Sequence, residues 1–238
     1  MDIKSLNAAY EALKIAENPY DTIFDFKEEL LSSDSPEFLD FHYRILQDKA
    51  LSAQLRSTIK SFFFAEAVNN RNKEVVSNFL YQKYSNGIED ISVRADVIQL
   101  LGNLKSKHAK EVALENINLP KADLRYRSII VLGWIGSTAE LKVLNERLLN
   151  DPDPQLRGYS ATAMRQIWFN HPKSKENILK HIKEAIPGEK EEKALEGMII
   201  TVQDLLKKKL GLKESEYGEI TGDMEAAKVK TIAVLKTC

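Results

Sequence analysis

A basic residue followed by helical apolar spacing recurs along the chain at nearly constant intervals. The anchors Arg94, Arg125, Arg157 and Lys193 lie 31, 32 and 36 residues apart, and a weaker copy at Arg56 precedes the first of them by 38 residues. Self-similarity at a period of about 20 to 50 residues is typical of repeat proteins, whose stacked units bury a shared core. This period constrains the fold of the 238-residue chain more than any other feature.

Each period contains two helical stretches and a polar break. Three leucines of the clearest copy fall at i, i+3 and i+7, which is one face of a helix: Leu141, Leu144 and Leu148. Ser137 or Thr138 is suited to cap this helix. The proline-containing break at 150–154 ends it, and Asp153 with Pro154 is suited to begin the next one. The sequence therefore predicts a helix, a tight turn, a second helix and a break in every period.

Composition agrees with long helices joined by short connections. Gly and Pro together number 17, about 7% of the chain, where average usage is about 12%. A sandwich or barrel needs a turn about every 8–12 residues, so these all-β folds are disfavoured. No apolar run approaches the roughly 18 residues of a membrane span, and the first ten residues do not resemble a signal peptide. We therefore expect a cytoplasmic protein with no membrane contact.

The best repeat copy, 123–136, and the best junction, 151–157, resemble HEAT-like repeats, most closely the short class first noted in phycobilin lyases. The resemblance is good over 90–210, loose over 50–90 and slight over 1–50. It implies an all-α, right-handed α-solenoid of roughly four to six antiparallel helix pairs. Gly158 and Tyr159 depart from the alanine-rich filling of that class, and the period lengthens before Lys193.

We predict one continuous domain with three parts: an acidic N-terminal helical cap (1–50), the HEAT-like repeats (51–210), and a tail or capping helix (211–238). In the cap, apolar stripes predict three helices, and a fourth helical stretch, beyond residue 50, contains residues 62–64. The first stripe is Ile3, Leu6, Tyr10, Leu13 and Ile15, the second is Ile23, Phe24, Phe26, Leu30 and Leu31, and the third is Phe38, Leu39, Phe41, Ile45 and Leu46. The segment 212–222 is polar and turn-like, and 226–235 forms a last helix or stays partly loose.

The net charge of −1 conceals an uneven distribution. Residues 1–50 carry 11 acidic and 5 basic side chains, whereas residues 101–150 carry 5 and 8. A dedicated nucleic-acid binder usually shows a basic excess over the whole domain, so nucleic acid is an unlikely partner. The acidic N-terminal part indicates a basic partner surface, or only a well-solvated face.

No catalytic, cofactor-binding or metal-binding constellation is evident. The only cysteine, Cys238, excludes disulfides and cysteine zinc sites, and it is a poor nucleophile candidate. None of the histidines belongs to a known zinc or iron motif, and we interpret all four as structural or solvent-exposed: His42, His108, His171 and His181. The repeat anchors are interpreted as structural too, satisfying carbonyls or pairing with an acid of the neighbouring repeat: Arg56, Arg94, Arg125, Arg157 and Lys193.

The resemblance implies that a concave face, built by the second helix of each pair, binds another macromolecule. Those helices are predicted at about 107–116, 138–149 and 172–186. Their polar positions are the candidate partner contacts, with an ordinary solvated face as the alternative: Lys107, Lys110, Glu111, Lys142, Asn145, Glu146, Lys175, Asn177 and Lys180.

The function predicted from these observations is non-enzymatic protein binding. One concrete hypothesis is an immunity or antitoxin protein that occludes a bacterial toxin with a basic domain, because charge complementarity speeds capture. A scaffold or lyase-like adaptor is a further alternative. Some HEAT-like proteins are DNA glycosylases for alkylated bases, and Trp134, Trp168, Asp151 and Asp153 are the residues such an activity would use, although tryptophans at that spacing are more often core.

Overall fold

The computed structural model describes residues 2–237, most of which form α-helices, so the predicted all-α class is confirmed. Cys238 lies outside the described residues, as does the interpretation of its thiol. Contacts divide the chain into two compact units, Met1–His108 and Ala109–Cys238. The sequence-based division at 50 and 210 stays a prediction. None of the helices in residues 2–237 has the length and apolarity that a bilayer crossing requires.

The first unit is built from helical hairpins, in which its first helix packs on the second, its third on the fourth and its fifth on the sixth. Side-chain oxygens cap several of the helix starts: Ser35 accepts from the amide of Phe38, and Asp90 accepts from the amides of Ser92 and Val93. The helices are α1 (Ile3–Ile15), α2 (Ile23–Leu30), α3 (Pro36–Gln47), α4 (Ala53–Asn69), α5 (Lys73–Ser85) and α6 (Ile91–Asn103), with a 3-10 turn at Pro19–Asp21.

Most residues of the predicted apolar stripes form the core of this unit. Tyr10 stacks on Phe26 and meets the edge of Phe41, with ring centroids 6.0 and 5.9 Å apart. Ile15 and Phe24 were assigned to the stripes, but they are 86% and 65% exposed. Ile15 follows Leu13 by two residues and Phe24 follows Ile23 by one, and neither offset returns to the buried face of a helix. The inclusion of these two residues in the apolar stripes was therefore wrong.

In the second unit, the first helices of three successive helix pairs stack side by side, and the second helices of the pairs join them in sequence. The last helix of the chain packs on the two helices before it. The helices are α7 (Ala109–Asn116), α8 (Ala122–Ile135), α9 (Leu141–Asn150), α10 (Pro154–Asn170), α11 (Lys175–Ala185), α12 (Glu192–Leu206) and α13 (Met224–Leu235), with 3-10 turns at Thr138–Glu140 and Pro172–Ser174.

The second helices of two pairs begin a few residues later than the sequence predicts. Ser137 caps the 3-10 turn before α9 in a capping box with Glu140, and Asp153 caps α10 with Pro154 in its first turn, as the sequence predicts. Because 3-10 turns occupy the first residues of two predicted helices, α9 begins only at Leu141 and α11 only at Lys175.

Glycines allow α10 and α12 to approach closely. A Cβ atom on Gly197 would lie 2.2 Å from the carbonyl oxygen of Gly158, and one on Gly158 would lie 2.4 Å from that of Lys193. No side chain fits at such distances. The departure from alanine at position 158 is therefore explained by a helix crossing at which even a methyl group is too large.

A small antiparallel β-hairpin lies between α12 and α13, where the sequence predicted only a polar, turn-like segment. Strands β1 (Leu212–Glu214) and β2 (Ile220–Gly222) pair with Leu212 opposite Gly222. The amide of Gln203 fixes the hairpin to α12: its oxygen accepts from the backbone of Leu210 at 2.8 Å and of Leu212 at 3.2 Å, and its nitrogen donates to the Leu212 carbonyl at 3.2 Å. The final segment forms α13, which was one of the two predicted alternatives.

Candidate functional site

Arg125, the anchor of the clearest repeat copy, lies buried at the junction with the following repeat. Its Nε and Nη2 donate to Oδ2 and Oδ1 of Asp151 at 2.8 and 2.9 Å. Its Nη1 donates to the carbonyls of Leu119 and Pro120 at 3.1 and 2.7 Å. The hydrogen bonds to Asp151 raise the pKa of the guanidinium above its ordinary value. This side chain therefore ties α8 both to the loop before it and to the break before α10.

Arg157 repeats this arrangement one period later. Its Nε and Nη2 donate to Oε2 and Oε1 of Glu189 at 2.6 and 3.0 Å, and its Nη1 donates to the Asp151 carbonyl at 2.8 Å. The Glu189 carbonyl in turn accepts from Nζ of Lys228 on α13 at 2.6 Å. We call Arg125, Asp151, Arg157, Glu189 and Lys228 the junction network. It runs through three successive junctions of the second unit.

The two acids of the junction network also organise the chain just before the next helix. Asp151 Oδ1 accepts from the amide of Asp153 at 3.0 Å, and Glu189 Oε1 accepts from the amides of Lys190 and Glu191 at 2.9 and 3.0 Å. Burial opposes ionisation of Glu189, but the hydrogen bonds from Arg157 and from these amides outweigh it and lower the pKa of the carboxyl group. Each acid therefore joins one repeat to the start of the next.

The remaining anchors differ from this pattern. Arg56 donates to the carbonyls of Asp48 at 2.9 Å and Leu51 at 3.4 Å, which is the carbonyl-satisfying role expected of it. Arg94 lies over the ring of Tyr84, with 5.4 Å from its guanidinium carbon to the ring centroid.

Lys193 is exposed, and its Nζ pairs with Glu196 in the same helix at 3.1 Å. The expected link to a neighbouring repeat is not made by Lys193. Lys228 on α13 instead occupies the place at the Glu189 carbonyl that an arginine of α12 would take.

The nine predicted partner contacts carry both signs of charge. Lys107 lies in the turn before α7, which begins at Ala109, and Lys110 Nζ is 3.3 Å from Glu140 Oε1. Six of the nine are exposed, namely Lys107, Glu111, Lys142, Glu146, Asn177 and Lys180, and three are half-buried, namely Lys110, Asn145 and Lys175. Their role in binding stays a prediction.

The histidines have structural surroundings. His42 is fully buried, with Nε2 at 3.2 Å from the Ile59 carbonyl and its ring edge-on to Phe63. Burial, reinforced by the positive charge of Arg71, lowers the pKa of His42 to about 3. His108 stacks on Tyr81, with ring centroids 3.6 Å apart.

His181 lies on α11, where burial lowers its pKa, and His171 follows the last residue of α10. Among residues 2–237, no group of three His, Cys, Asp or Glu side chains is arranged to hold a metal ion.

The residues needed by a DNA glycosylase are engaged elsewhere. Asp151 is 1% exposed and paired with Arg125, and Asp153 caps α10. Trp134 and Trp168 are half-buried on α8 and α10. Asp151 is therefore held by Arg125, and the geometry of these residues adds no support to this alternative.

The first unit also presents an exposed segment that the sequence patterns did not predict. Residues 15–28, which we call the acidic–aromatic segment, present Tyr20 and Phe24 at 45% and 65% exposure beside Ile15. Its exposed carboxylates form no ion pair among the described residues: Glu17, Asp21, Asp25 and Glu28. The only lysine of the segment, Lys27, lies 3.9 Å from Glu66 and over the ring of Phe62. The excess of acids in 1–50 was the available signal, but Phe24 was placed in an apolar stripe and Tyr20 was not singled out.

Stacked helix pairs linked at their junctions define an α-helical repeat protein of the α-solenoid class. The family model described as HEAT repeats matches residues 86–165, about a third of the chain, from the residues before α6 to within α10. This part of the chain therefore consists of HEAT repeats, and the predicted resemblance to HEAT-like repeats is confirmed. The narrower likeness to phycobilin lyases stays a prediction. A comparison with curated proteins finds no match.

Proposed function

We propose that this chain is a non-enzymatic protein-binding module whose acidic–aromatic segment captures a basic partner. HEAT repeats commonly mediate protein–protein interaction, which gives the general class. The observation that carries the proposal is the exposure of Tyr20 and Phe24 among carboxylates that have no cationic partner in the described chain. Aromatic residues are enriched among the residues that dominate binding energy, and surrounding charges steer the encounter.

Within this class, the partner proposed is the basic domain of a bacterial toxin, which the chain would neutralise by occlusion in the cytoplasm. A nuclease cleft is basic because it binds phosphates, so unpaired carboxylates would be attracted to it over several ångströms. The exposed polar residues of α7, α9 and α11 are proposed as a separate contact surface of the second unit. A scaffold or adaptor that carries another protein makes the same use of these surfaces without inhibiting anything.

The first experiment is affinity capture of the tagged chain from its native lysate, read by mass spectrometry. A stoichiometric, basic partner is expected, and co-expression with it should restore growth if the partner is a toxin. A partner that is not toxic would support the adaptor alternative. Specific retention of nucleic acid at physiological salt, with no protein partner, would contradict protein binding.

The second experiment measures association of the purified pair. Glu17→Lys, Asp21→Lys and Glu28→Lys together should slow association by about tenfold or more at low salt, because electrostatic steering is lost. Asp25 is retained because it lies in the first turn of α2, where an acid stabilises the helix. The matched control reverses three exposed acids elsewhere, Glu89, Glu216 and Glu219, with the same change in net charge. Equal slowing by both variants would mean that only net charge matters.

The double variant Tyr20→Ser, Phe24→Ser tests whether these two aromatic side chains contact the partner. Both side chains are exposed, so stability should change little, whereas dissociation should accelerate by about tenfold or more. Tyr217→Ser is the control, because Tyr217 is 92% exposed but lies on the hairpin of the other unit. Unchanged dissociation for the Tyr20 and Phe24 variant would remove the acidic–aromatic segment from the interface.

A further inference from the structure

A groove of about 490 Å³ lies in the second unit, where α11 faces the last residues of α12 and α13. Leu206 ends α12 and Leu235 ends α13, and both line the groove together with Leu179 of α11. Leu179 and Leu235 are buried and Leu206 is half-buried. The floor of the groove is therefore aliphatic and is held by three helices.

The rim of the groove is basic. Lys175, Lys180 and Lys183 line it from α11, and Glu176 is the single acidic residue among the described residues of the lining. No carboxylate of the described chain forms an ion pair with any of these three lysines. Lys207 and Lys236, both exposed, directly follow the floor residues Leu206 and Leu235 in sequence. Positive charge therefore exceeds negative charge at this rim.

We propose that this groove binds an acidic peptide segment of a partner protein, with carboxylates on the lysine rim and one aliphatic or aromatic side chain on the leucine floor. Charge complementarity selects the acidic residues, and burial of an apolar side chain contributes about 25 cal/mol per Å². Sequence analysis named Lys175 and Lys180 only as members of a mixed face. The structure groups them with Lys183, which the sequence did not single out.

The lining favours a peptide over a nucleic acid. Single-stranded nucleic acids are usually bound by aromatic rings that stack on bases, together with cations that follow the phosphates. The described residues of the lining include no aromatic ring and no arginine. Leucines instead suit the side chains of a peptide. This site has the opposite charge to the acidic–aromatic segment, so it takes a different partner, or a different part of the same partner.

The test begins with random dodecapeptides displayed on phage and selected on the intact chain. The library is first depleted on a variant carrying Lys175→Glu, Lys180→Glu and Lys183→Glu, so that only peptides requiring these lysines survive. The expected result is enrichment of peptides in which Asp or Glu flank Leu, Ile, Phe or Met. Absence of enrichment, or enriched peptides without acids, would overturn the proposal.

The best peptide is then synthesised with a fluorescent label and titrated. The triple variant should weaken its binding by about tenfold or more, and raised salt should weaken binding to the wild type, because the contacts are electrostatic. The matched control reverses three exposed lysines outside the groove, Lys121, Lys190 and Lys213, and should change affinity less than about twofold. Equal losses in the two variants would overturn a localised site.

Two further measurements test the role of the leucine floor and distinguish a peptide from other ligands. Leu206→Ala should weaken binding of the peptide without changing the salt dependence of that binding. An unchanged affinity would contradict insertion of an apolar side chain of the peptide at the leucine floor. Circular dichroism and thermal unfolding check that each variant is folded. Tighter binding of labelled single-stranded DNA than of the peptide, dependent on the same lysines, would overturn the proposal in favour of nucleic acid. Self-association abolished by the triple variant would assign the groove to a second copy.

Discussion

Arg125 and Asp151 form a bidentate ion pair across 26 residues of chain, with nitrogen–oxygen distances of 2.8 and 2.9 Å and side chains only 5% and 0% exposed. A buried pair of this kind is weak evidence for stability in itself, but removal of Arg125 leaves the buried carboxylate with Arg147 alone, whose Nη1 lies 3.7 Å from Oδ2 of Asp151. The loss of stability on replacing an anchor should therefore differ from one repeat anchor to another.

Arg125→Met should lower the free energy of unfolding by about 3 kcal/mol, because Asp151 would stay buried without its bidentate partner, with only the longer contact to Arg147 remaining. Urea denaturation measures this loss. Adding Asp151→Asn to this variant should lower the free energy of unfolding by less than the sum of the two single effects, since it removes the carboxylate charge that Arg125→Met leaves behind. Lys193→Met is the control at the corresponding repeat position, and its exposed pair with Glu196 should contribute less than about 1 kcal/mol. Comparable losses at both anchors would contradict this account.

Gly197→Ala should destabilise the second unit by about 1–3 kcal/mol, because its Cβ would lie 2.2 Å from the Gly158 carbonyl oxygen and would force α10 and α12 apart. Thermal unfolding provides the measurement. Gly188→Ala is the matched control: a Cβ there meets no atom within 4 Å. That substitution should be neutral or slightly stabilising. If Gly197→Ala were equally harmless, the two helices would not cross as closely as described.

The buried His42 should make stability depend on pH. Its pKa is about 3 in the folded chain and near 6.5 when unfolded, so between these values the unfolded state binds more protons. Stability is therefore fully present above about pH 6.5 and decreases as the pH falls, by up to about 1.4 kcal/mol per pH unit from this residue. Denaturation curves at several pH values give the free energy of unfolding as a function of pH, and this pH dependence should be weaker in His42→Leu. A pH dependence that is unchanged in His42→Leu but weaker in His171→Leu would refute its assignment to His42.

Gln203→Ala should loosen the hairpin without unfolding the helices. The three hydrogen bonds of this amide to Leu210 and Leu212 contribute about 1 kcal/mol each, so hydrogen exchange of the hairpin amides should accelerate by about tenfold or more. Exchange in α8 and α10 should stay the same. Gln155→Ala removes only an exposed hydrogen bond to Tyr159 and serves as the control. Equal acceleration in both variants would show that the amide of Gln203 does not hold the hairpin.

The period of the basic anchors was enough to predict the helical repeats, because each anchor arginine lies in the first turns of a helix. It could not identify all their partners. Glu189 lies 32 residues after Arg157 in a short loop, and no local pattern marks it as the acid that receives this guanidinium. Lys193 fits the sequence spacing but not the role, since Lys228 of α13 reaches the Glu189 carbonyl instead.

The candidate surfaces were less predictable than the fold. Strands of three residues are too short for alternation to show, so the hairpin was invisible in the sequence. Phe24 looked like core because it is next to Ile23, although adjacent helical residues point about 100° apart. The groove depends on α11 meeting the ends of α12 and α13, a non-local arrangement that the spacing of three lysines does not reveal.

The junction network determines which pieces of this chain can be exchanged or duplicated. An excised helix pair cut between Arg125 and Asp151 would take the guanidinium and leave its carboxylate behind, and a cut between Arg157 and Glu189 would do the same one period later. The transplantable module is therefore a helix pair together with the acidic break that follows it. Chimeras joined just after Asp153 keep each anchor arginine and its acid in the same piece. Chimeras joined before Asp151 separate them and leave a buried charge without its partner.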